Sequence, residues 1–328
     1  MPAWQFQQIQ TTDVDELSTA LPSWQQRYTK LQRGQFSGVL TLATGGGLQV
    51  YRERTRGVLL EEGETGGNRV GLAIPVRASG DVFSFGNKIT SCSDVMGFFS
   101  PRRLNLRTPE DFELLVVSVN PADLPGFGTP SVPKSALRQP STCVGRVPAW
   151  MRQELIDLMS VLLDARLDER RLARAGINLL DCLEEALLKF ESMPVRAKAV
   201  ACRQTVDLAL ICVRGWMQQR ADTPLNVATL CAALGIPRRT LQYAFEQALG
   251  VNPLQYLKSV RLAGSRRHLK RGEGSVLEAS LQWGFDHPSS FARDYQAMFG
   301  EFPSKTLDHA KRSPSLSRPA RHHQEPTG

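Results

Sequence analysis

Hydrophobic positions change period along this chain, and the changes divide it. Between Phe36 and about Asn120 they form short runs: Val39, Leu40 and Leu42; Leu48 and Val50; then 58–60, 70–74, 82–85 and 112–119. Glycine clusters at 45–47 and 63–67 separate several of them. Short β-rich runs with regularly spaced glycine turns predict a β barrel or sandwich. Helical spacing takes over from 149 to 190, where Met151, Leu155, Leu158 and Leu162 recur, then Leu172, Ile177, Leu180, Leu183 and Leu187. A further helix is expected over 197–219. Near the N-terminus Thr12 is a candidate helix cap, and Leu17, Leu21, Trp24 and Tyr28 follow at helical spacing. Six prolines between 121 and 148 predict a long connection, and the polar, proline-rich stretch from Ser313 predicts disorder.

One pattern then occurs twice. In 226–245 a short apolar-periodic helix (Val227, Leu230, Ala233, Leu234) leads to Gly235, a brief turn at Pro237, and a second helix whose Leu241 and Phe245 face inward. In 276–295 Val276, Ala279, Leu281 and Trp283 supply the first helix, Gly284 the turn, and Phe291 and Tyr295 the inward face of the second. This is the arrangement of a helix-turn-helix, whose second helix can enter the DNA major groove. The outward positions are Arg238, Arg239, Gln242 and Tyr243 in the first copy, and His287, Ser289, Ser290 and Arg293 in the second. Arginine can bond guanine O6 and N7, and glutamine adenine N6 and N7; the competing reading for each is a phosphate contact. Between the copies, 253–270 predicts a linker helix of roughly 27 Å, enough to set two recognition helices about one DNA turn apart. Lys258 and Arg261 on it, with Arg266, Arg267, Lys270 and Arg271, are candidates for phosphate contacts.

Charge sharpens this reading. The 328-residue chain has a net charge of +8, but residues 194–312 alone carry 17 Lys/Arg and 9 Asp/Glu, and the first 193 residues are near neutral. The cationic segment is the one with the doubled pattern, as expected of a DNA-binding module; a merely solvated basic surface is the alternative. The length favours two domains, here 1–193 and 194–312, with 313–328 as a tail. No apolar run is long enough for a membrane span and no signal peptide is evident, so the expected location is cytoplasmic. The six cysteines have no metal-ligand spacing and read as reduced, with a redox role for Cys92 or Cys143 as the alternative.

The segments P-R-R-T-L-Q at 237–242, G-F at 284–285 and S-x-F-x-R-x-Y at 289–295 resemble the AraC/XylS family of transcription regulators over about 197–310. The resemblance implies two helix-turn-helices in adjacent major grooves. It implies base-reading roles for Arg239, Gln242 and Tyr243, and for Pro288, Ser289, Ser290 and Arg293. Tyr243 stands where the family usually carries arginine. The N-terminal half more loosely resembles the ethanolamine-operon regulators of that family, on 11–17, 24–38 and 49–55. That likeness implies a cupin-like sensor barrel, with ethanolamine and a cobalamin as that group's effector.

The fold expected is therefore α+β and multidomain: a cupin-like β barrel with helices, then an all-α double helix-turn-helix domain. All five histidines lie beyond residue 193, so a metal-holding catalytic barrel is not expected, nor is any metal or cofactor. Glu61, Glu62 and Glu64 read as a solvated turn, with an acid-base pair as the alternative. The function expected is a sequence-specific, effector-responsive activator of a catabolic operon, not an enzyme. The alternatives are an enzyme or repair protein carrying a regulator-type DNA module, and an architectural DNA binder without effector. The partners expected are double-stranded DNA, a small-molecule effector and RNA polymerase, with a homodimer as a further option and no membrane. Candidate ligand contacts are Phe83 and Phe85 as walls, with Val39 and Leu72, and Arg52 or Arg54 as the orienting group.

Overall fold

The computed structural model describes residues 3–312 except 22–23, 66–68, 81–82, 87, 100–102, 125–141, 194–196, 220–224 and 273. The middle of the proline-rich connection and the expected tail lie outside the described residues. The chain divides into two compact units, Met1–Ser259 and Val260–Gly328.

The first unit begins with strands in two antiparallel sheets. One has the order β1(Gln5–Thr11), β3(Ser37–Gly45), β4(Leu48–Arg56), β11(Asp111–Val119), β6(Val70–Ala78), β9(Val95–Phe99), β12(Thr142–Arg146), β13(Glu191–Ser192). The other has the order β2(Trp24–Lys30), β5(Leu59–Thr65), β10(Arg103–Arg107), β7(Phe83–Phe85), β8(Lys88–Thr90). The β3–β4 hairpin closes through Gly46 and Gly47 at φ 57° and 82°, since Gly45 pairs with Leu48. Two successive positive φ angles are what a two-residue turn of matching twist needs, and glycine supplies both.

Alternation along the strands feeds two cores. On β4, Leu48 and Val50 face helices α2(Ala149–Leu162) and α3(Glu169–Leu188), packing with Met151, Leu155, Leu179 and Leu183. Tyr51 faces the other way, into a cluster with Trp24, Tyr28, Leu40, Phe98 and Phe112. On β11, Leu115 and Val117 join the helix-side core while Leu114 and Val116 join the other. A strand buried on both faces reads as a continuous apolar run, which is why 114–117 lacks alternation.

The expected β runs, the helices over 149–190 and the helix α4(Ala197–Gln219) are present. The N-terminal expectation is corrected. The helix there, α1(Val14–Ser18), is short and capped by Asp13, whose carboxylate accepts from the backbone N–H groups of Asp15 and Glu16. Trp24 and Tyr28 belong to a strand. Leu17, Leu21, Trp24 and Tyr28 all reach one core, but from a helix, the irregular chain after it and a strand.

The remaining helices are α5(Val227–Leu234), α6(Arg238–Leu249), α7(Pro253–Lys270), α8(Val276–Gln282), α9(Pro288–Phe299) and α10(Pro303–Arg312). The boundary between the two units falls within α7. Among the described residues no helix is long and apolar enough to cross a membrane.

Candidate functional site

Each helix-turn-helix is assembled by local signals. In the first, Asn226 and Thr229 form a reciprocal capping box at the start of α5. Gly235 ends that helix in the left-handed region at φ 64°, and Pro237 caps α6. Leu241, Ala244, Phe245 and Leu249 are buried, with Phe245 tilted against Tyr256 at 5.4 Å. Arg238, Arg239, Gln242 and Tyr243 are exposed, Tyr243 at 40%. The Gln242 amide donates to Glu246 at 3.0 Å one turn on, so its side chain is already engaged on the helix surface.

In the second, Ser275 and Glu278 form the capping box of α8. Gly284 takes φ 72° in the turn, and Pro288 fills the first position of α9. Phe285, Phe291, Tyr295 and Met298 are buried with Leu262 and Leu269 of α7. His287, Pro288, Ser289 and Arg293 are exposed, while Ser290 is half-buried and its hydroxyl donates to the His287 carbonyl at 2.9 Å. Leu281, expected inside, is 56% exposed; Ala279 and Ser280 fill the buried face instead.

Two arginines of α7 turn inward. Arg261 donates to the Gly284 carbonyl at 2.9 Å and its guanidinium lies 5.0 Å from the centre of the Phe285 ring. Burial lowers its pKa, partly offset by Asp286. Arg261 thus braces the turn of the second unit. Arg266 donates to Glu301 at 2.9 Å and lies over Phe299 at 4.7 Å. Lys258 is half-buried on the same helix.

The candidate ligand residues separate. Phe85 lines a cavity between the sheets, together with Trp24, Tyr51, Glu53, Glu61, Met96, Phe98 and Leu106. Phe83 is buried against Phe112 at 4.9 Å, in the same core but not in the cavity wall. Arg52 and Arg54 are corrected. Strand alternation sends them to the opposite face of β4, where both guanidiniums meet Glu113, at 3.5 Å and 3.1 Å, and Arg52 also donates to Ser160 of α2 at 2.9 Å. Leu72 lies in the helix-side core.

What that orientation brings into the cavity is Glu53, which sequence reasoning missed. Its carboxylate accepts from the Tyr28 hydroxyl at 3.2 Å through Oε2, while Oε1 has no hydrogen-bond partner among the described residues. Burial pushes the Glu53 carboxyl up to about 7, against a lowering by the Tyr28 bond. Glu61 is buried in β5, not in a solvated turn; burial and then the nearby Glu53 hold its carboxyl well above the ordinary range. The available signal was the single acid between the same-face arginines in R-E-R at 52–54.

Next to Glu61 on β5, Glu62 points away from the interior and pairs with Arg214 of α4 at 3.0 Å. Asn105 of β10 donates to Asp207 of α4 at 3.1 Å, and Asp207 also takes Arg203 at 3.0 Å. Arg107 donates to the Leu249 carbonyl at 2.6 Å, Ser84 to that of Ala248 at 3.2 Å, and Gln255 to that of Leu31 at 3.1 Å. Within the first unit, the sheet containing β5 therefore holds α4 and the end of α6 through polar contacts. None of the six cysteines, all among the described residues, forms a disulfide, and burial pushes the Cys143 thiol up to about 12, which removes support for a redox role there.

Residues 230–309 match a family model described as a helix-turn-helix domain. The chain is similar to the probable thc operon regulatory protein of Rhodococcus erythropolis, 30% identical over 132 residues that cover 39% of this chain and 40% of the relative. It is also similar to the HTH-type transcriptional regulator CdhR of Pseudomonas aeruginosa, 34% identical over 96 residues, 29% of each chain. A solved structure of a probable AraC family transcriptional regulator from Rhodopseudomonas palustris is 36% identical, covering 34% of this chain and 96% of that one, with a TM-score of 0.28. The matches to these two curated relatives span between about three and four tenths of the relatives' length.

Proposed function

We infer the function from one premise: the C-terminal helices of this chain belong to the AraC/XylS family of helix-turn-helix DNA-binding domains. The reading is a sequence-specific DNA-binding transcription regulator, acting as an effector-responsive activator of a catabolic operon. The observation that carries it is the pair of capped, glycine-turned helix-turn-helices whose second helices expose Arg238, Arg239, Tyr243, Ser289 and Arg293. Buried aromatic and leucine residues hold these helices, which leaves the outward positions at the surface, where side chains can meet base edges and phosphates. On this reading 1–193 is the sensing part, 194–312 reads DNA, and RNA polymerase is a further partner.

On this reading the effector occupies the cavity between the sheets. A molecule that binds one arrangement of the β sheets and α4 more tightly than another shifts the regulator between states. The polar contacts from β5, β10 and β7 to α4 and α6 supply a route for that shift.

Footprinting of the full chain on its operator tests the reading. A protected stretch with two contacts spaced by one helical turn is expected. Salt-dependent binding without sequence preference would leave an architectural binder instead.

A further inference from the structure

We propose that Glu246 is a positioning residue for base recognition: it fixes the amide of Gln242 so that this side chain selects adenine over guanine. The proposal deepens the DNA-reading function above and rests on it for the presence of a base edge at Gln242.

Gln242 and Glu246 are both exposed on α6, one turn apart, and the Gln242 amide nitrogen donates to the Glu246 carboxylate at 3.0 Å. Side chains at this spacing meet on a helix surface. A carboxylate only accepts, so the pair has one arrangement: Nε2 toward Glu246 and Oε1 away from it. Without that neighbour the amide can present either end outward. On its other side Gln242 lines, with Arg238, Val227 and Leu254, a surface cleft of about 210 Å³. The amide thus has Glu246 on one side and open surface on the other.

What remains after the bond to Glu246 is one N–H and both lone pairs of Oε1. Adenine offers the matching edge in the major groove, a donor at N6 and an acceptor at N7. Guanine offers two acceptors there, N7 and O6. Meeting both needs two donors, and Glu246 has taken one of the two that the amide nitrogen carries. Against guanine, Gln242 makes one bond and sets Oε1 opposite a second acceptor.

The position of Glu246 supports a role in recognition over one in stability. It lies in the last turn of α6, where its backbone carbonyl accepts from the Gly250 N–H at 3.1 Å. A carboxylate there opposes the negative end of the helix dipole, and DNA phosphates repel it. An exposed pair at this spacing returns little helix stability. Holding the amide is the favourable interaction that sets against these two unfavourable ones.

Selection of duplexes from a randomised pool by the full chain, followed by fluorescence anisotropy on the recovered sequences, tests this. Gln242→Ala marks the base pair that Gln242 reads, as the position whose preference flattens. There the wild type should prefer adenine to guanine by about tenfold or more. Glu246→Gln keeps the side-chain length, but its amide can donate to Oε1 as well as accept from Nε2, so both orientations of Gln242 open. Its adenine-to-guanine ratio should fall by about threefold to tenfold, with preferences elsewhere and the melting temperature unchanged. A ratio that holds in Glu246→Gln while affinity rises for every duplex overturns the proposal, because Glu246 then acts only as a charge against phosphates. Loss of preference in Glu246→Gln at a base pair other than the one marked by Gln242→Ala also overturns it, since Glu246 is then itself a base contact. So does Gln242→Ala that flattens no position. In each of these cases the preferences kept at other positions leave the DNA-reading function standing, whereas a wild type that enriches no sequence removes both.

Discussion

Glu53→Gln makes a quantitative test of the β half in the absence of any ligand. The Glu53 carboxyl sits at about 7 in the folded chain against an ordinary 4.5. The native state therefore holds its proton more tightly than the unfolded chain does. Stability contributed by that proton is present below the unfolded value and is lost as pH rises through the folded one. Integrated over that window, the loss is about 3 kcal/mol, on the rule of 1.36 kcal/mol per pH unit. Glu61, raised by burial and then by Glu53, adds a loss of the same sign. Replacing Glu53 by glutamine keeps an acceptor for the Tyr28 hydroxyl but removes the ionisation. The buried amide donors carry a cost of their own, about 1–3 kcal/mol, but that cost does not vary with pH. The quantity to compare is thus the change in stability between pH 5 and pH 9 in the two proteins. The wild type should lose about 3 kcal/mol more than the variant, seen as a melting-temperature difference of about 2–4 °C per kcal/mol for a unit of this size. Superimposable pH profiles of wild type and Glu53→Gln would refute the claim that Glu53 is buried and titrates near neutrality.

Other consequences follow from the helix-turn-helices. A Cβ at Gly264 would lie 2.2 Å from the Trp283 ring, so Gly264→Ala should lower stability by about 1–3 kcal/mol and abolish binding by the second unit, measured by melting and by fluorescence anisotropy with duplex DNA. Removing a capping box by Asn226→Ala or Ser275→Ala should cost about 0.5–2 kcal/mol, readable in urea unfolding; no change in either variant would show that these caps do not hold α5 and α8. Arg293→Ala should weaken operator binding by about 1–3 kcal/mol with an unchanged melt, and undiminished affinity would remove Arg293 from the contact set. Arg261→Gln should instead lower the melting temperature and leave the salt slope of DNA binding intact, because its guanidinium serves Gly284 and Phe285. A slope reduced by about one would mark it as a phosphate contact.

The helix-turn-helices were legible because their determinants are local. A capping pair three residues apart, a glycine in the left-handed region and an apolar stripe of period 3.6 all lie within twenty residues. The β half was legible as β but not as a site. Tyr-Arg-Glu-Arg-Thr-Arg at 51–56 shows which residues share a face, but not which face is inside. Register with β3 and β11, set by residues far away in sequence, decides that Glu53 goes in and Arg52 and Arg54 go out. Glu61 and Glu62 beside glycine read as a turn for the same reason. The partner that keeps Glu62 in a buried strand, Arg214, is 152 residues distant. The i, i+4 spacing of Leu17, Leu21, Trp24 and Tyr28 misled because a short helix, the irregular chain after it and a strand can deliver the same periodicity to one core.

Strand β5 places the cavity and helix α4 on opposite sides of one backbone. Glu61 closes the cavity, and one residue on, Glu62 grips Arg214 of α4. The contacts that join this sheet to α4, α6 and α7 include hydrogen bonds and an ion pair, several of them buried. Beside them, within α4, Arg203 is almost fully buried, bonds Asp207 of the same helix through Nε, and leaves both terminal nitrogens without a partner among the described residues. Burial accordingly lowers its pKa. Desolvation offsets much of the Coulomb gain in such pairs, so they add little net stability. Polar groups that separate regain water, whereas an apolar face that separates loses the hydrophobic term outright. On the proposed function, joining the parts partly through charge would keep two arrangements close in free energy. That is the condition under which a ligand of modest differential affinity, bound one strand away, can change which of them the protein adopts.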